Sequence, residues 1–373
     1  MNPQNVFCPN IECPAKGQRD EGNIKVHSQA DERYVCSVCS KTFTTTKGTI
    51  FYGLKTDGAT VMRVLTLMAN GCPRPAAAKA FKLDERTIKK WEMLAGLHCE
   101  AVHEEIIGKS KLDLEHVQAD EIKVKTQGGA LWMAFSMMVS TRLWLGGAVS
   151  KHRDKQLIQQ VADKIRQVAL CRPLLLAVDG LSSYVGAFRR AFRSPLPRRG
   201  QQGRSRLIAW PDIAIVQVVK QRSATDFKID RRIVQGDKVA VEHLLTQSRG
   251  GKVINTAYIE RLNGTFRQCL SVLARRTRHL ARQTETVVAG MYIVGCTYNF
   301  CETHKSLRVH LSVGNRGHRW VKRTPAMAAG LTDHVWSMEE LWSYRVPPPR
   351  WTPPKRRGRH SKETLKLIEK WCP

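Results

Sequence analysis

The sequence predicts an α/β protein in which a cysteine-rich segment and a helical segment precede the central domain. Two pairs of cysteines lie close together near the N-terminus, and apolar residues follow helical spacing over residues 57–105. Apolar, strand-like runs then alternate with helical patterns over residues 112–310. A chain of 373 residues is long enough for two or three domains with sizeable cores.

The charge balance favours a polyanionic partner. The chain has 61 Lys and Arg against 32 Asp and Glu, a formal net charge of +29. Double-stranded DNA is the partner that we expect from such an excess, rather than a membrane surface. No long basic amphipathic pattern is present, and apolar runs such as 131–139 are too short to cross a bilayer. The N-terminus has no secretory signal pattern, so we expect a cytoplasmic, nucleoid-associated protein.

The first segment, residues 1–52, has the cysteine spacing of a metal site. Two short knuckles, each with two thiols, suit one tetrahedral Zn²⁺ ion, and four ligands make that ion structural. The predicted ligands are Cys8, Cys13, Cys36 and Cys39. Strand-like residues flank the second pair, as in a zinc ribbon. The alternative is four unrelated buried cysteines, while the odd total of 11 argues against a disulfide scaffold.

The second segment, residues 57–105, predicts a helix-turn-helix. Helical patterns occupy residues 60–69 and 76–81, and Asp84 is placed as the N-cap of a helix over 85–94. That last helix would present a basic face to a DNA major groove. The predicted DNA contacts on it are Arg86, Lys89 and Lys90. A helical linker with a solvated basic face is the alternative.

The order of elements in residues 112–310 matches an RNase H-like fold. The predicted elements are strands at 115–125, 131–140 and 143–150, a helix at 154–169, a strand at 174–178, a helix at 184–192, a strand at 213–219 and a helix beginning near 255. The interval 193–250 is long, and we interpret it as an insertion or an elaborated connection.

Three acidic residues lie on two of the predicted strands and on the last predicted helix of this domain. Asp120 lies in the first strand, Asp179 ends the fourth, and Glu260 lies on the late helix. A carboxylate on a buried strand is costly unless it is paired or binds a metal. Two Mg²⁺ or Mn²⁺ ions, about 3.5–4 Å apart, would use oxygen ligands for phosphodiester chemistry. We predict that Asp120 bridges both ions and that each of the other two acids holds one.

Other acids and other roles stay open. Strand alternation is expected to send Glu121 to the opposite face of the sheet from Asp120. Acids of the long interval could replace one of the three, and they are Asp212, Asp226, Asp230 and Asp237. The structural alternative is that the three acids pair with nearby arginines.

Basic residues around and beyond the last helix are candidates for DNA contacts. Asn263 and Arg267 share a helix face with Glu260, and a guanidinium there could bind a phosphate. A basic ridge follows, with a solvated helix face as the alternative, and its predicted DNA contacts are Arg275, Arg276 and Arg278. Residues 320–373 form a basic, proline-rich extension, either a solvated tail or a further contact to the DNA backbone.

Two stretches resemble the DDE-type transposases of bacterial insertion sequences. Residues 258–267, Tyr-Ile-Glu-Arg-Leu-Asn-Gly-Thr-Phe-Arg, are similar to the third-acid helix of those enzymes, and residues 298–308 resemble the motif that follows it. The cysteine ribbon and Arg267, seven positions after Glu260, are most similar to the IS-one group. The resemblance implies cleavage at the ends of a mobile element and transfer of the 3′-hydroxyls to target DNA. It also implies recognition of terminal inverted repeats by a homodimer or larger homo-oligomer.

Two other functions fit part of the pattern. A ribbon and helix-turn-helix regulator with an inert RNase H-like domain would bind DNA without cutting it. A metal-dependent nuclease would cut DNA without joining it.

Overall fold

The computed structural model describes residues 1–196, 203–222, 227–275, 277–312, 318–353, 355 and 358–372. The chain divides into two compact units. The first, the ribbon unit, combines Met1–Gly58 with Trp342–Pro373, and the second, the sheet unit, is Ala59–Leu341. The division into four segments that we predict from the sequence stays a prediction.

The secondary structure is numbered in chain order. The strands are β1 Ile24–Ser28, β2 Arg33–Cys36, β3 Thr42–Thr44, β4 His116–Thr126, β5 Gly129–Met138, β6 Trp144–Ser150, β7 Leu174–Asp179, β8 Arg193–Pro195, β9 Leu207–Ala209, β10 Ile213–Arg222, β11 Phe227–Gln235, β12 Val309–Ser312 and β13 His318–Val321. The α-helices are α1 Gly58–Ala69, α2 Arg74–Phe81, α3 Glu85–His103, α4 Lys155–Val168, α5 Ser182–Ala191, α6 Lys238–Gln247, α7 Ala257–Cys269, α8 Thr284–Cys296, α9 Pro325–Ala328, α10 Met338–Ser343 and α11 Lys362–Trp371.

The ribbon unit is a small antiparallel sheet whose core includes a residue from the other end of the chain. Strands β1, β2 and β3 pair in that order. Trp371, at the end of α11, is only 2% exposed and belongs to the same core cluster as Tyr34 and Phe43. The side chain of Gln18 donates a hydrogen bond to the carbonyl of Trp371. The C-terminal helix therefore packs into the ribbon, an arrangement that neither sequence interpretation of this extension anticipated.

Replacing Trp371 by alanine is expected to destabilise the ribbon unit. Truncating a fully buried aromatic residue costs about 3–5 kcal/mol, and a sheet this small has little other apolar area to offset the loss. Leu365→Ala is the matched control, because Leu365 lies on the same helix and is exposed. Amide hydrogen exchange of β1–β3 in the full-length chain measures the effect. Equal protection in the two variants would contradict the packing role.

The sheet unit is built on one mixed six-stranded sheet in the order β11-β10-β7-β4-β5-β6. Consecutive strands β4, β5 and β6 are antiparallel, and a tight turn at Gln127 and Gly128 joins the first two. Strand β7 runs parallel to β4, and β10 runs parallel to β7. Helix α4 connects β6 to β7, and α5 lies in the connection from β7 to β10. The continuously apolar run Leu174–Val178 is buried, as expected for a central strand covered on both faces.

The long interval before α7 extends this sheet. Strand β11 pairs antiparallel with β10 along its length, and α6 packs its apolar side on β7 and β10. Asp237 caps α6 by accepting hydrogen bonds from the amides of Val239 and Ala240. Residues 197–202 and 223–226 of the interval, including Asp226, lie outside the described residues.

The helical segment places a short helix and a long helix around a sharp turn. Lys82 has a left-handed backbone (φ +54°) that ends α2, and the Asp84 side chain accepts the amide of Arg86 at the start of α3. The predicted cap is confirmed, but α3 runs to His103 and is longer than predicted. Its Gly96 lies against Ala289 of the buried helix α8, close enough that a Cβ would clash. Across the described ranges, the longest helices lack the apolar length that a bilayer span needs.

Candidate metal centres and nucleic-acid interface

The four N-terminal cysteines converge on one point of the ribbon unit. Their sulfur atoms all lie within 4.8 Å of one another. The Sγ atoms of Cys8 and Cys39 are 3.6 Å apart, and those of Cys13 and Cys36 are 3.9 Å apart. A tetrahedral Zn²⁺ with Zn–S bonds near 2.3 Å requires sulfur–sulfur edges of about 3.8 Å. The cluster could therefore hold one Zn²⁺ with no ligand position left open.

The pKa values of Cys8 and Cys39 are shifted by burial and by their neighbours. Burial and the neighbouring thiols Cys13 and Cys36 raise the pKa of Cys8. At Cys39 burial acts in the same direction, but hydrogen bonds from the Lys41 backbone and from Asn10 outweigh it and lower the pKa to about 7. Bound Zn²⁺ requires deprotonated thiols and supplies the charge that stabilises them.

The sheet unit holds a second group of possible ligands, all of them carboxylates. Oxygen atoms of Asp120, Glu121 and Asp179 lie within 4.8 Å of one another. Strands β4 and β7 pair in register from His116 and Leu175 to Gln118 and Ala177. The same register extended by two residues sets Asp120 beside Asp179. An all-oxygen donor set of this kind suits a hard divalent cation such as Mg²⁺.

Asp120 is the most perturbed acid of this group. Burial is the main reason that its pKa rises to about 7, and the charges of Glu121, Asp179 and Glu260 act in the same direction. The amide of Glu121 donates to Asp120 Oδ1 at 2.8 Å and opposes the rise. Asn263 Nδ2 on α7 donates to Oδ2 at 2.7 Å. Crowded carboxylates whose charges repel one another are a setting in which a bound cation is stabilising.

Glu121 is the site residue that sequence reasoning missed. Alternation does give it different partners from Asp120: Tyr184 on α5 donates to Glu121 Oε2 at 2.7 Å, and Arg153 forms an ion pair with it. Its carboxylate oxygen nevertheless lies within 4.8 Å of those of Asp120 and Asp179, so alternation does not separate Glu121 from the carboxylate group. The pairing of β4 with β7 stops at Gln118, so side chains from both faces of β4 reach the gap beyond. Burial and Asp179 raise the pKa of Glu121, while Tyr184 and Arg153 oppose this.

Glu260 lies outside the three-carboxylate group. It forms an ion pair with Lys220 of β10 and accepts a hydrogen bond from Thr256 Oγ1 at 2.6 Å. Burial raises its pKa, but these two partners outweigh burial and lower it. Asn263, which bonds to Asp120, is three residues further along α7, and side chains at this spacing are neighbours on a helix. Glu260 is therefore about one helical turn from a side chain that contacts the carboxylate group.

The raised pKa of Asp120 predicts a pH-dependent response to Mg²⁺. Between the ordinary Asp value near 3.9 and about 7, the folded chain binds more protons than the unfolded chain, so the unfolding free energy falls as pH rises through this window. Mg²⁺ binds the ionised carboxylates and competes with the proton. We expect millimolar Mg²⁺ to raise the melting temperature more at about pH 8 than at about pH 5. Thermal scans at both values test this, and Asp120→Asn should remove most of the difference.

Several predicted DNA contacts line one basic cleft of the sheet unit. The cleft has a volume of about 440 Å³ between α2, α3 and the segment that follows α7. Three predicted contacts, Arg86, Lys89 and Arg278, lie in its wall. Arg74 and Arg282 add positive charge, although Arg74 is paired with Glu92. Lys89 donates a hydrogen bond to Gln283 at 2.8 Å, which links α3 to the start of α8.

The other predicted contacts have different surroundings. Lys90 and Arg275 are exposed, and Arg267 is half-buried. Asn263 is only 3% exposed and donates to Asp120, so its amide positions a carboxylate in this structure. Arg276 lies outside the described residues. The DNA-binding roles of these residues stay predictions.

Two comparisons with known proteins gave no significant match. A scan against protein-family models gave no match, and a search of curated proteins gave none that was significant. The functional assignment therefore rests on the residues, their geometry and the resemblance of two short stretches.

Proposed function

We propose that this chain is a DDE-type DNA transposase with an RNase H-like catalytic domain, similar to the IS-one group. The observation that carries the proposal is the meeting of Asp120 and Asp179, from neighbouring parallel strands, with oxygen atoms within 4.8 Å. The strand order supports it: three consecutive antiparallel strands, β4–β6, with β7 and β10 added in parallel on the other side of β4. This is the order expected of an RNase H-like core.

Asp120 and Asp179 would hold the divalent ions, with Glu260 approaching from α7 as the third acid. Bound Mg²⁺ would activate an oxygen nucleophile and neutralise the scissile phosphate. Asn263 would keep the Asp120 carboxylate oriented through its 2.7 Å hydrogen bond. Arg153 contacts both Glu121 and Asp179, and its guanidinium would hold these carboxylates in place before metal enters.

The DNA partner is supported by the charge distribution. A net charge of +29 remains after the 32 acids are set against the 61 Lys and Arg, and the basic cleft beside α3 groups cations from two parts of the chain. Counterion release from phosphates would supply most of the affinity. The ribbon and the α2–α3 segment would recognise the inverted repeats at the ends of the element.

The reaction would run in two steps, hydrolysis and then strand transfer. Water first breaks a phosphodiester bond at the element end and leaves a 3′-hydroxyl. That hydroxyl then attacks a phosphodiester of target DNA, forming a new P–O bond as the target's P–O3′ bond breaks. No covalent bond to the protein is needed. The test is a cleavage and joining assay with DNA that flanks the chain's own coding sequence, labelled at the 5′ end of the transferred strand.

The assay separates the rival functions. The proposal predicts Mg²⁺-dependent nicks and labelled joined products, both lost in Asp179→Asn and retained in Asp113→Asn. Asp113 is the matched control because it is a half-buried aspartate of the sheet unit that is paired with Arg172. Nicks without joined products would indicate a nuclease.

A second candidate is a DNA-binding regulator with an inert sheet unit. The ion pairs favour it, since Lys220 pairs with Glu260 and Arg153 with Glu121 and Asp179. These ion pairs would neutralise the carboxylates without a bound metal. This candidate would be favoured if the native chain and Asp179→Asn both bound DNA and both nicked it only at the background rate.

A further inference from the structure

A second basic pocket lies on the other side of helix α7 from Asn263. It has a volume of about 380 Å³. Tyr258, Arg261 and Thr265 of α7 line it, and their spacing of three and four places them on one face. Asn263 is two residues from both Arg261 and Thr265, about 200° around a helix of 3.6 residues per turn. The pocket is therefore separate from the carboxylate group, with α7 between them.

The charge of this pocket is unbalanced. Arg142, Arg261 and Lys305 line it, and its described lining includes no aspartate or glutamate. Burial is the main reason that the pKa of Arg142 is lowered, and the charge of Arg261 acts in the same direction. Neighbouring cations in a partly buried pocket are stabilised by an anion.

The backbone holds Arg142 in an uncommon conformation. Arg142 lies in the β5–β6 turn with φ +63°, a left-handed value that is unfavourable for a residue with a Cβ. Its guanidinium is 3.8 Å from the ring centroid of Tyr258 and donates to the carbonyl of Val139. The Tyr258 hydroxyl is itself held by the carbonyl of Arg249, at 3.0 Å. The arginine and the ring are thus positioned before any ligand arrives.

His304 adds a buried polar atom that needs a partner. Within the part of the chain that the structure describes, its Nε2 atom has no hydrogen-bond partner. The ring packs edge-on against Tyr298, with centroids 4.6 Å apart. Burial lowers the pKa of His304 to about 4, and Arg261 and Arg142 contribute. The neutral ring can carry its hydrogen on Nε2 and donate it to an oxyanion.

We propose that this pocket binds a phosphate group of the nucleic-acid strand that passes the carboxylate group. Two guanidiniums and an ammonium supply charge-assisted hydrogen bonds, which are the strong contacts that arginine makes to phosphate. The Tyr258 ring offers a face for the adjoining sugar or base. The inference rests on DNA being the partner in the proposed function. It adds an anchoring contact about one helix diameter, roughly 10 Å, from the carboxylates.

The test is equilibrium DNA binding by the full-length, zinc-loaded chain without Mg²⁺. Fluorescence anisotropy with a labelled duplex and a labelled single strand gives Kd at several salt concentrations. We expect Arg261→Gln to raise Kd about tenfold and to lower the salt slope by about one, the effect of one lost phosphate contact. Arg172→Gln, an exposed arginine paired with Asp113, is the matched control and should behave like the native chain.

Two further arms keep the result decisive. Lys305→Gln repeats the test should Arg261→Gln unfold, and thermal unfolding identifies that case. Calorimetric titration of inorganic phosphate asks whether the pocket takes the free anion instead. The proposal is overturned if the pocket binds inorganic phosphate tightly while both variants keep the native Kd for DNA. It is also overturned if both variants bind DNA and phosphate with the native Kd values. Because Mg²⁺ is absent, an inactive carboxylate group would leave this outcome unaffected.

Discussion

Asp120→Asn is expected to reduce Mg²⁺-dependent DNA cleavage by about a thousandfold or more. A metal ligand contributes several kcal/mol of charge stabilisation in the transition state, and about 1.4 kcal/mol corresponds to a factor of ten in rate. Asparagine keeps the size of the side chain and can still bond to Asn263 and to the Glu121 amide. The fold should persist, because the variant removes a charge that burial and its neighbours disfavour. Single-turnover nicking rates, with melting temperatures alongside, provide the measurement.

The same assay decides which glutamate completes the group. We expect Glu260→Gln to lower the cleavage rate at least a hundredfold, about 2.7 kcal/mol or more. Glu121→Gln should have a smaller effect on the rate and a larger one on stability, since Glu121 is nearly fully buried between Arg153 and Tyr184. A large rate loss in Glu121→Gln with a near-native Glu260→Gln would show that the structure's own three-carboxylate group is the functional one.

Cys36→Ser is expected to abolish zinc binding and to unfold the ribbon unit. Structural Zn²⁺ contributes about 10–16 kcal/mol of apparent binding free energy in small zinc domains, which is far more than a sheet of this size gains from its core. Cys36 is fully buried, with its sulfur 3.9 Å from that of Cys13. Elemental analysis should give one zinc per native chain and much less in the variant.

Cys171→Ser is the control for this change, because Cys171 is an exposed cysteine of the sheet unit. It should keep the native zinc content and the native hydrogen-exchange protection of β1–β3. Full protection of the ribbon strands in Cys36→Ser, or in native protein after chelation, would contradict a structural zinc site.

The elements that were predictable from the sequence are those with strong local signals. The apolar run of β7, the periodicity of α4 and the strand around Asp120 all occur where the patterns indicate. In these segments, local preference and burial agree, and few alternatives remain.

The elements that sequence reasoning missed depend on distant partners. Strand β11 loses its alternation of apolar and charged residues at the consecutive Arg231 and Arg232, and it pairs with β10 along the edge of the sheet. Helix α8 is apolar on nearly all sides, so its pattern has no single face to identify. The docking of Trp371 on the ribbon joins residues separated by most of the chain's length, which no local pattern encodes.

The site residues likewise divide into those with a clear local signal and those that depend on distant partners. Asp120 and Asp179 were predictable because each lies at a defined place on a strand. Glu121 was not, because its inclusion depends on where the pairing of β4 with β7 stops. The partner of Glu260, Lys220, comes from β10, and its identity required the register of the whole sheet.

Diffraction from crystals soaked in Mn²⁺, with the anomalous signal of manganese, tests the central claim most directly. The account predicts Mn²⁺ bound by both Asp120 and Asp179 at about 2.0–2.2 Å, with a glutamate oxygen completing the set. Asp179→Asn crystals should lose the peak. Manganese bound elsewhere in the chain, with the ion pairs of Arg153 and Lys220 intact and the two aspartates unligated, would contradict it.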